Sequence, residues 1–577
     1  MFKQVAHKIL LILFFTANVA FAQDSGNGVS SDLEYEQAPH IKIDALTSIQ
    51  IENLKTTAKV WGFLKYHHPS VTSGQRQWDW DLLKILPEIL AAPDKAAADA
   101  SLHKWIEMLG PLKKCNPCAK LERGNYETLP DLEWINDKTF LSRELVEDLT
   151  HIYFNRSDNG NQFYVSQVPN VGNFAFVHEP EYRNMKFPDA GFQLLSLFRF
   201  WNIVQYWAPY RGLIQGEWDT VLRDSIRPVG LAKDRPSYEL AMMAVIAQVH
   251  DTHVNLWSSL DVRPPVGKCQ VPVIVRFVEG HAVVSGYSGD RRTRQDGIVI
   301  GDIIESVDGI GTEKLMATWK PYFAVSNNAS LMRDIANAVT KGPCGDVKLG
   351  IRRGENVQDI TVRRVLSSHV VTPRSHDRDG PTFQILNGEI AYIKLSSIKR
   401  EDIPLYLARA ESTKGLLIDL RNYPSEFVPF ALGQFFVDKP TKFARVTVGD
   451  PAHPGAFKWG AELQIDPQQP KYSRKVIVLV DEMTQSQAEY TAMALRAGSQ
   501  VKILGSTTAG ADGNVSTIPL PGGLRSMISG IGIYYPDKRP TQRIGIVPDI
   551  EVKPTIRGIQ EERDEVIDAA IVEILRN

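Results

Sequence analysis

The stretch KVIVLVDEMTQSQAEYTAMALRAG (475–498) decides how the chain is read. Val476–Val480 is a continuous apolar run of strand length, the pattern of a strand buried on both faces. A polar turn follows, and helical spacing begins near Ser486. A serine at a helix N-terminus meets unpaired backbone N–H groups and the positive end of the macrodipole. Both favour negative charge developing beside it, as in the tetrahedral intermediate of acyl transfer. Ser486 is therefore a candidate nucleophile. The same residues admit a plainer reading, because Ser486-x-x-Glu489 is also a capping box and Thr484-x-x-Gln487 another. Local pattern alone favours the cap.

The surroundings of that stretch alternate strand and helix. Ile390–Leu395, Leu416–Leu420 and Val501–Leu504 are further apolar runs of strand length. Phe430–Phe436 and Ala488–Ala497 read as helices, and Ile518–Tyr535 as a hairpin turning at Pro521-Gly522-Gly523. An amphipathic helix, Glu561–Leu575, closes the chain. Alternating strands and helices imply an α/β core over 375–577.

Upstream the character differs. After Pro264-Pro265 come short β runs at Val273–Phe277, His281–Val284 and Val299–Val307. A helix is expected around Ser330–Val339, and Val347–Arg352 with Ile360–Val365 would close a small barrel. The run Gly301-Asp302-Ile303-Ile304-Glu305-Ser306-Val307-Asp308-Gly309 makes 266–366 resemble a PDZ domain, a module that binds extended peptides along a sheet edge. Just before it, Val249–Leu256 contains His250-Asp251-Thr252-His253. Two histidines three apart could ligate metal, but no H-E-x-x-H or carboxylate set accompanies them, so no metal is expected there.

The region 46–189 reads as mostly helical, and 190–265 as a further helical part carrying His253. Both contain one copy of a repeat: Trp61-Gly62-Phe63-Leu64-Lys65-Tyr66-His67-His68-Pro69 recurs as Trp201-Asn202-Ile203-Val204-Gln205-Tyr206-Trp207-Ala208-Pro209. Trp80-Asp81 is aligned with Trp218-Asp219. Each copy predicts a helix stopped by proline, a loop and a second helix, with the aromatic stripe packed as core.

The 577 residues, 43% hydrophobic and 23% charged, have globular proportions and suggest three or four structural units. Lys+Arg 65 against Asp+Glu 67 gives a formal charge of -2 and no basic excess, so nucleic acid is not an expected partner. Lys3 and Lys8, the apolar run Ile9–Phe15 and Ala20-Phe21-Ala22 describe a secretory signal over 1–22. A polar lead-in follows over 23–45. The signal's apolar run is shorter than the roughly 20 residues a membrane span needs. The mature chain is expected to be exported, periplasmic or extracellular, without a membrane span or ATP-dependent chemistry. Its Cys115-x-x-Cys118, Cys269 and Cys344 then read as structural disulfides before a zinc site, which would show two close pairs.

GLLIDLRNYPS (415–425), DEMTQSQAE (481–489), GSTTAG (505–510) and GIVPDIEV (545–552), in this order behind a PDZ-like unit, resemble the carboxy-terminal processing peptidases and the tricorn protease core. The resemblance covers about 190–577 and implies a ClpP/crotonase-like β/α core with an inserted PDZ-like domain, preceded by the mostly helical N-terminal region. It also implies a serine peptidase without cofactor. Ser486 aligns with the family nucleophile. The processing branch carries its lysine base where this chain has Ala511. The tricorn branch uses a Ser-His pair matched here by Thr252-His253. His253 is thus the expected general base, with Thr252 orienting it or its acidic partner. Where that branch has glutamate this chain has Gln542, leaving Asp251 or another carboxylate as the acid. The oxyanion hole is expected from the Gln487 N–H and from Ser425 or Glu426, in a turn that has lost the family's glycines.

The reading that follows is an exported serine endopeptidase acting on peptides or unfolded protein tails through an acyl-enzyme. The alternative is a weak or inactive relative that binds peptides or other ligands. The sequence leaves the oligomeric state open.

Overall fold

The computed structural model describes residues 40–576, apart from 122–123, 157–158, 215, 289–296 and 371–375. The expected signal segment and most of the lead-in lie outside the described residues.

The aromatic repeat is built into the fold. In the first copy, α1 (Ser48–His67) and α2 (Trp78–Ala91) exchange indole hydrogen bonds. Trp61 Nε1 donates to the Trp78 carbonyl at 3.1 Å, and Trp78 Nε1 to the Trp61 carbonyl at 3.0 Å. In the second, α3 (Ala190–Trp207) and α4 (Trp218–Gly230) do the same through Trp201 and Trp218, at 2.8 and 3.2 Å. Buried indoles need a partner, and each pair satisfies both N–H groups reciprocally. Trp78, and not Trp80, is therefore the equivalent of Trp218; it is fully buried, whereas Trp80 is only partly so.

The two copies pack on each other where Gly62 meets Asn202. Asn202 Nδ2 donates to the Ala58 carbonyl at 2.9 Å, and a Cβ on Gly62 would stand 1.8 Å from Asn202 Oδ1. Beside them lies a buried ionic cluster: Lys65 pairs with Glu179 at 2.6 Å, and Arg199 pairs with Glu179 at 2.9 Å and Asp79 at 2.6 Å. One apolar core runs from Ile41 to Leu256 and takes in Ile518, Leu520, Leu524 and Ile528 from far downstream.

Residues 269–366 form an eight-stranded sheet with its own apolar core. Its pairings form an open path with two ends, where a closed barrel was expected. Strand β1 (Val273–Val278) is one edge, and α5 (Asn328–Ala338) packs beside it. The cysteines pair as Cys115–Cys118 and Cys269–Cys344.

The third part is a six-stranded sheet. It comprises β2 (Phe383–Leu386), β3 (Ile390–Lys394), β4 (Gly415–Asp419), β5 (Lys475–Val480), β6 (Val501–Gly505) and, after the hairpin of β7 (Val515–Leu520) and β8 (Leu524–Ser529), β9 (Ile550–Glu551). From β3 onward neighbours are parallel; β2 is antiparallel. Ile393, Ile418, Val478 and Ile503 face one apolar cluster, while Tyr392, Leu417, Ile477 and Leu504 face another, covered by the C-terminal helix. Burial on both faces is why these strands read as unbroken apolar runs. Past β5, α6 (Gln487–Arg496) begins directly after Ser486. The closing helix α7 (Glu565–Leu575) starts later than expected because Ile556–Gln560 is a separate short helix. Phe430–Phe436 is shorter than expected too, Pro429–Gly433 alone being helical before Val437 and the long hairpin Thr441–Gly449/Phe457–Ile465.

The buried ionic cluster yields a first prediction. Arg199→Leu strands the Asp79 and Glu179 carboxylates with only Lys65 to balance them. Breaking such a pair costs about 3–5 kcal/mol, so a fall of that size in unfolding free energy is expected by chemical denaturation.

Candidate active site

The site lies beyond the carboxyl ends of β4, β5 and β6, where α/β sheets habitually place ligands. The turn leaving β5 is stitched down residue by residue. Asp481 Oδ1 accepts the Met483 N–H at 2.9 Å, and Thr484 Oγ1 donates to the Leu420 carbonyl at 2.9 Å. The Thr484 carbonyl accepts the Ala509 N–H, and Ser486 N donates to the Ala511 carbonyl at 2.8 Å. Strand β6 ends at Gly505 with φ 136°, where a Cβ would lie 1.9 Å from the Val480 carbonyl oxygen. Only glycine lets the 506–512 loop start that close to β5.

Ser486 itself has φ 56° and ψ −122°. An ordinary helix cap sits in the extended region with negative φ. A non-glycine residue at this angle is strained, and strain of this kind gathers at functional sites. The backbone thus weighs against the capping reading that local pattern favoured. The capping box between Ser486 and Glu489 is nonetheless present. Glu489 Oε2 accepts the N–H groups of Ser486 and Ala511 at 3.1 and 3.0 Å, and Oε1 accepts the Gly510 N–H at 2.8 Å and the Thr508 hydroxyl. Burial pushes the Glu489 carboxyl up to about 7 against the pull of these donors.

His253 is buried, and its Nδ1 lies 3.0 Å from Ser529 Oγ at the end of β8. Asp251 frames it: Oδ1 accepts the His253 N–H at 3.0 Å and lies 3.8 Å from Nδ1, while Oδ2 accepts the Ser529 N–H at 3.1 Å. Burial lowers the His253 pKa, Asp251 pulls it back up, and Arg333 pushes it further down. Thr252 does not serve His253. Its hydroxyl donates to Ser326 Oγ at 3.0 Å and accepts the Ser326 N–H at 2.9 Å, fastening its own turn to the segment that leads into α5.

Gln542 is 2% exposed and lines a cavity of about 10 Å³ together with Asp251 and Ser529. Its amide has no hydrogen bond among the described residues. Gln487 anchors α6 through Nε2 to the Glu426 carbonyl at 2.8 Å. Ser425 cannot offer its N–H to an oxyanion, because that group donates to the Leu395 carbonyl at 2.9 Å. Tyr423, in the same turn, is exposed.

His253 and Ser486 exchange no hydrogen bond among the described residues; His253 is engaged with Ser529. Both nevertheless border one segment. Ser486 is bonded to Ala511, and Ser529 pairs with Val515 four residues on. The contact of Ser529 with His253 escaped sequence reasoning, because Ser529 carries no local signal. Among the described residues, no cluster of three or more His, Cys, Asp or Glu side chains could hold a metal ion, and no helix is long and apolar enough to cross a membrane.

Residues 389–552 match the model of peptidase family S41. No curated protein matches the chain in sequence. Among solved structures, mature CPAF complexed with lactacystin is similar, with a TM-score of 0.53 and 15% identity over 67% of this chain and 99% of that one. A second structure of mature CPAF gives 0.52 and 15% over 67% and 98%. A putative peptidase from Parabacteroides merdae gives 0.42 and 15% over 68% and 98%. The CPAF likeness speaks for the fold, whereas the family match covers the sheet that carries Ser486. Residues 389–552 thus carry the likeness to peptidase family S41, which supports a serine-type peptidase, a family whose substrates are peptides or proteins.

Proposed function

We propose that the protein is an exported endopeptidase working through an acyl-enzyme on Ser486, with His253 as general base. The observation that carries this reading is the strained backbone of Ser486 at the head of α6, inside the segment that matches the family. In this reading His253 takes the tautomer in which Nδ1–H donates to Ser529 Oγ, leaving the lone pair on Nε2 to take the serine proton. The serine oxygen then bonds the substrate carbonyl carbon, and the carbonyl oxygen takes up the negative charge on the Gln487 N–H. His253 returns the proton to the leaving amine as the C–N bond breaks. Water, deprotonated by the same nitrogen, hydrolyses the resulting ester.

Asp251 takes the part that Gln542 cannot. A neutral amide offers no charge to an imidazolium, whereas Asp251 holds His253 through its N–H and lies beside Nδ1. Ser529 is a positioning residue that fixes the ring from the other side. The expected substrate is an extended peptide. A groove of about 1070 Å³ runs between β1 and α5 and opens on Tyr423, Glu482 and Met483. Because β1 is a sheet edge, its free backbone groups suit strand addition, in keeping with a PDZ-like role for this sheet.

Two predictions follow from these roles. Labelling by a fluorophosphonate should disappear in Ser486→Ala, and peptide hydrolysis should fall by roughly three orders of magnitude or more in both Ser486→Ala and His253→Ala. Equal labelling of wild type and Ser486→Ala would remove the nucleophile. Second, protonated His253 is inactive and its pKa is held below the usual 6.5, so kcat/KM should stay high at pH values below that figure. In Asp251→Asn the imidazolium loses its supporting charge, so the acid limb should move further down in pH while kcat falls by roughly two to four orders of magnitude. An unmoved limb would take the acid role from Asp251.

A further inference from the structure

The groove between β1 and α5 holds one positive charge that the fold leaves without a counterion. The cations lining it are Arg276, Arg333, Arg421, Arg543 and Lys553. All but one have an acid beside them. Arg276 pairs with Glu482 at 2.7 Å, Arg333 with Asp334 at 2.8 Å, Arg421 with Asp419 at 2.7 Å and Lys553 with Glu551 at 2.5 Å. Arg543 forms no ion pair among the described residues. Its guanidinium donates to the Leu213 carbonyl, which leaves further N–H groups for another acceptor. Of the acids in the same wall, Glu482 is taken by Arg276, and Glu279 stands in the turn that follows β1.

Arg543 is also tied to the loop that holds Ser486. Its N–H donates to the Gly510 carbonyl at 2.7 Å, and Ser486 N donates to the carbonyl of the next residue, Ala511, at 2.8 Å. The Gly510 N–H is itself held by Glu489 at 2.8 Å. Arg543 and Ser486 thus hang from consecutive carbonyls, so the part of the groove that Arg543 lines is the part beside Ser486. The Arg543 backbone has φ 69°, an angle that a non-glycine residue keeps only where its surroundings impose it. Its half-buried side chain is a partition, lining both the groove and the small cavity of Asp251, Ser529 and Gln542.

We propose that Arg543 is a specificity residue that recognises the carboxylate of an Asp or Glu side chain close to the scissile bond of a peptide bound in this groove. The inference rests on the Ser486 reading and names the class of peptide it leaves open. A guanidinium half withdrawn from water gains more from a carboxylate than from the matching amide, because the charged pair can be bidentate and the amide carries no charge. The paired cations of the groove cannot do the same without releasing an acid they already hold. Recognition exchanges hydrogen bonds and forms or breaks no covalent bond.

The test uses matched peptides, amidated at the C-terminus so that no terminal carboxylate takes part. Each position near the cleavage point is scanned as Asp against Asn and as Glu against Gln. Wild type should prefer the acid by roughly ten- to a hundredfold in kcat/KM at one position, and the preference should shrink as salt is raised. Arg543→Lys should keep part of it, Arg543→Gln should abolish it, and Arg543→Glu should replace it by a preference for Lys at that position, with melting temperature as the control for folding. No preference for the acid at any scanned position, or an undiminished one in Arg543→Gln, overturns the proposal. Fluorescence anisotropy with the same peptides, labelled, reads the preference as a ratio of Kd in the Ser486→Ala background, where no turnover is needed. If wild type hydrolyses no peptide and resists a fluorophosphonate, the Ser486 reading fails; an Asp-over-Asn preference in binding that Arg543→Gln abolishes would still uphold Arg543, and equal binding would overturn it.

Discussion

The buried carboxylate of Glu489 is the contact on which the site depends. It gathers the N–H groups of Ser486, Gly510 and Ala511 and the hydroxyl of Thr508, so the turn after β5 and the loop after β6 become one piece. Without that clamp nothing would hold Ser486 at a left-handed backbone angle, which costs about 1–3 kcal/mol in a non-glycine residue. The clamp has its own pH dependence. Its folded pKa lies above the unfolded value, so the native state binds the proton more tightly. The contribution to stability is therefore fully present at low pH and declines as pH rises from about 4.5 towards 7.

Around this clamp the site is assembled from parts distant in the chain. Arg276, on the edge strand β1, grips Glu482 at 2.7 Å and Asp481 at 3.3 Å. Arg333, on α5, donates to the Glu482 carbonyl and to Gln485 Oε1 at 2.9 Å. Both walls of the groove thus hold the turn that presents Ser486. Arg333 also lowers the pKa of His253, so a shift of α5 would be felt at His253 as well as at the turn.

The strands of the large sheet could be read because burial on both faces leaves an unbroken apolar signal, as in Val476–Val480. The tryptophan repeat was legible in kind, but its register was not. Trp78 and Trp80 are alike on paper, and only the reciprocal indole bond separates them. The hairpin Thr441–Gly449/Phe457–Ile465 went unseen since much of its second strand is exposed, with Lys458, Glu462 and Gln464 interrupting any apolar rhythm. Ser486 and His253 were singled out through motif order. The partners of His253 were harder: Ser529 lies 276 residues away, and no local pattern marks a serine as the end of a hairpin that meets a histidine. Thr252 was matched by motif to an orienting role, yet its neighbour Asp251 makes the contacts and Thr252 faces Ser326.

That dependence on Ser529 gives the helical N-terminal region a stake in the chemistry. The β7–β8 hairpin carrying Ser529 is not packed on the large sheet's core. Its apolar side, Ile518, Leu520, Leu524 and Ile528, is buried in the same cluster as the tryptophan repeat. Its backbone is also gripped from that side. Arg199 donates to the Pro519 carbonyl at 2.9 Å, Tyr238 to the Pro521 carbonyl at 3.1 Å and Asn173 to the Val515 carbonyl at 3.0 Å. Arg199 is the same residue that balances the buried carboxylates between the two helix pairs. A two-stranded hairpin is marginal by itself, so the orientation of His253 through Ser529 rests on a helical core outside the family segment. The ionic cluster, the hairpin and the imidazole therefore form one mechanical chain. A substitution far from Ser486 can reach the proposed base, His253, through it without touching substrate.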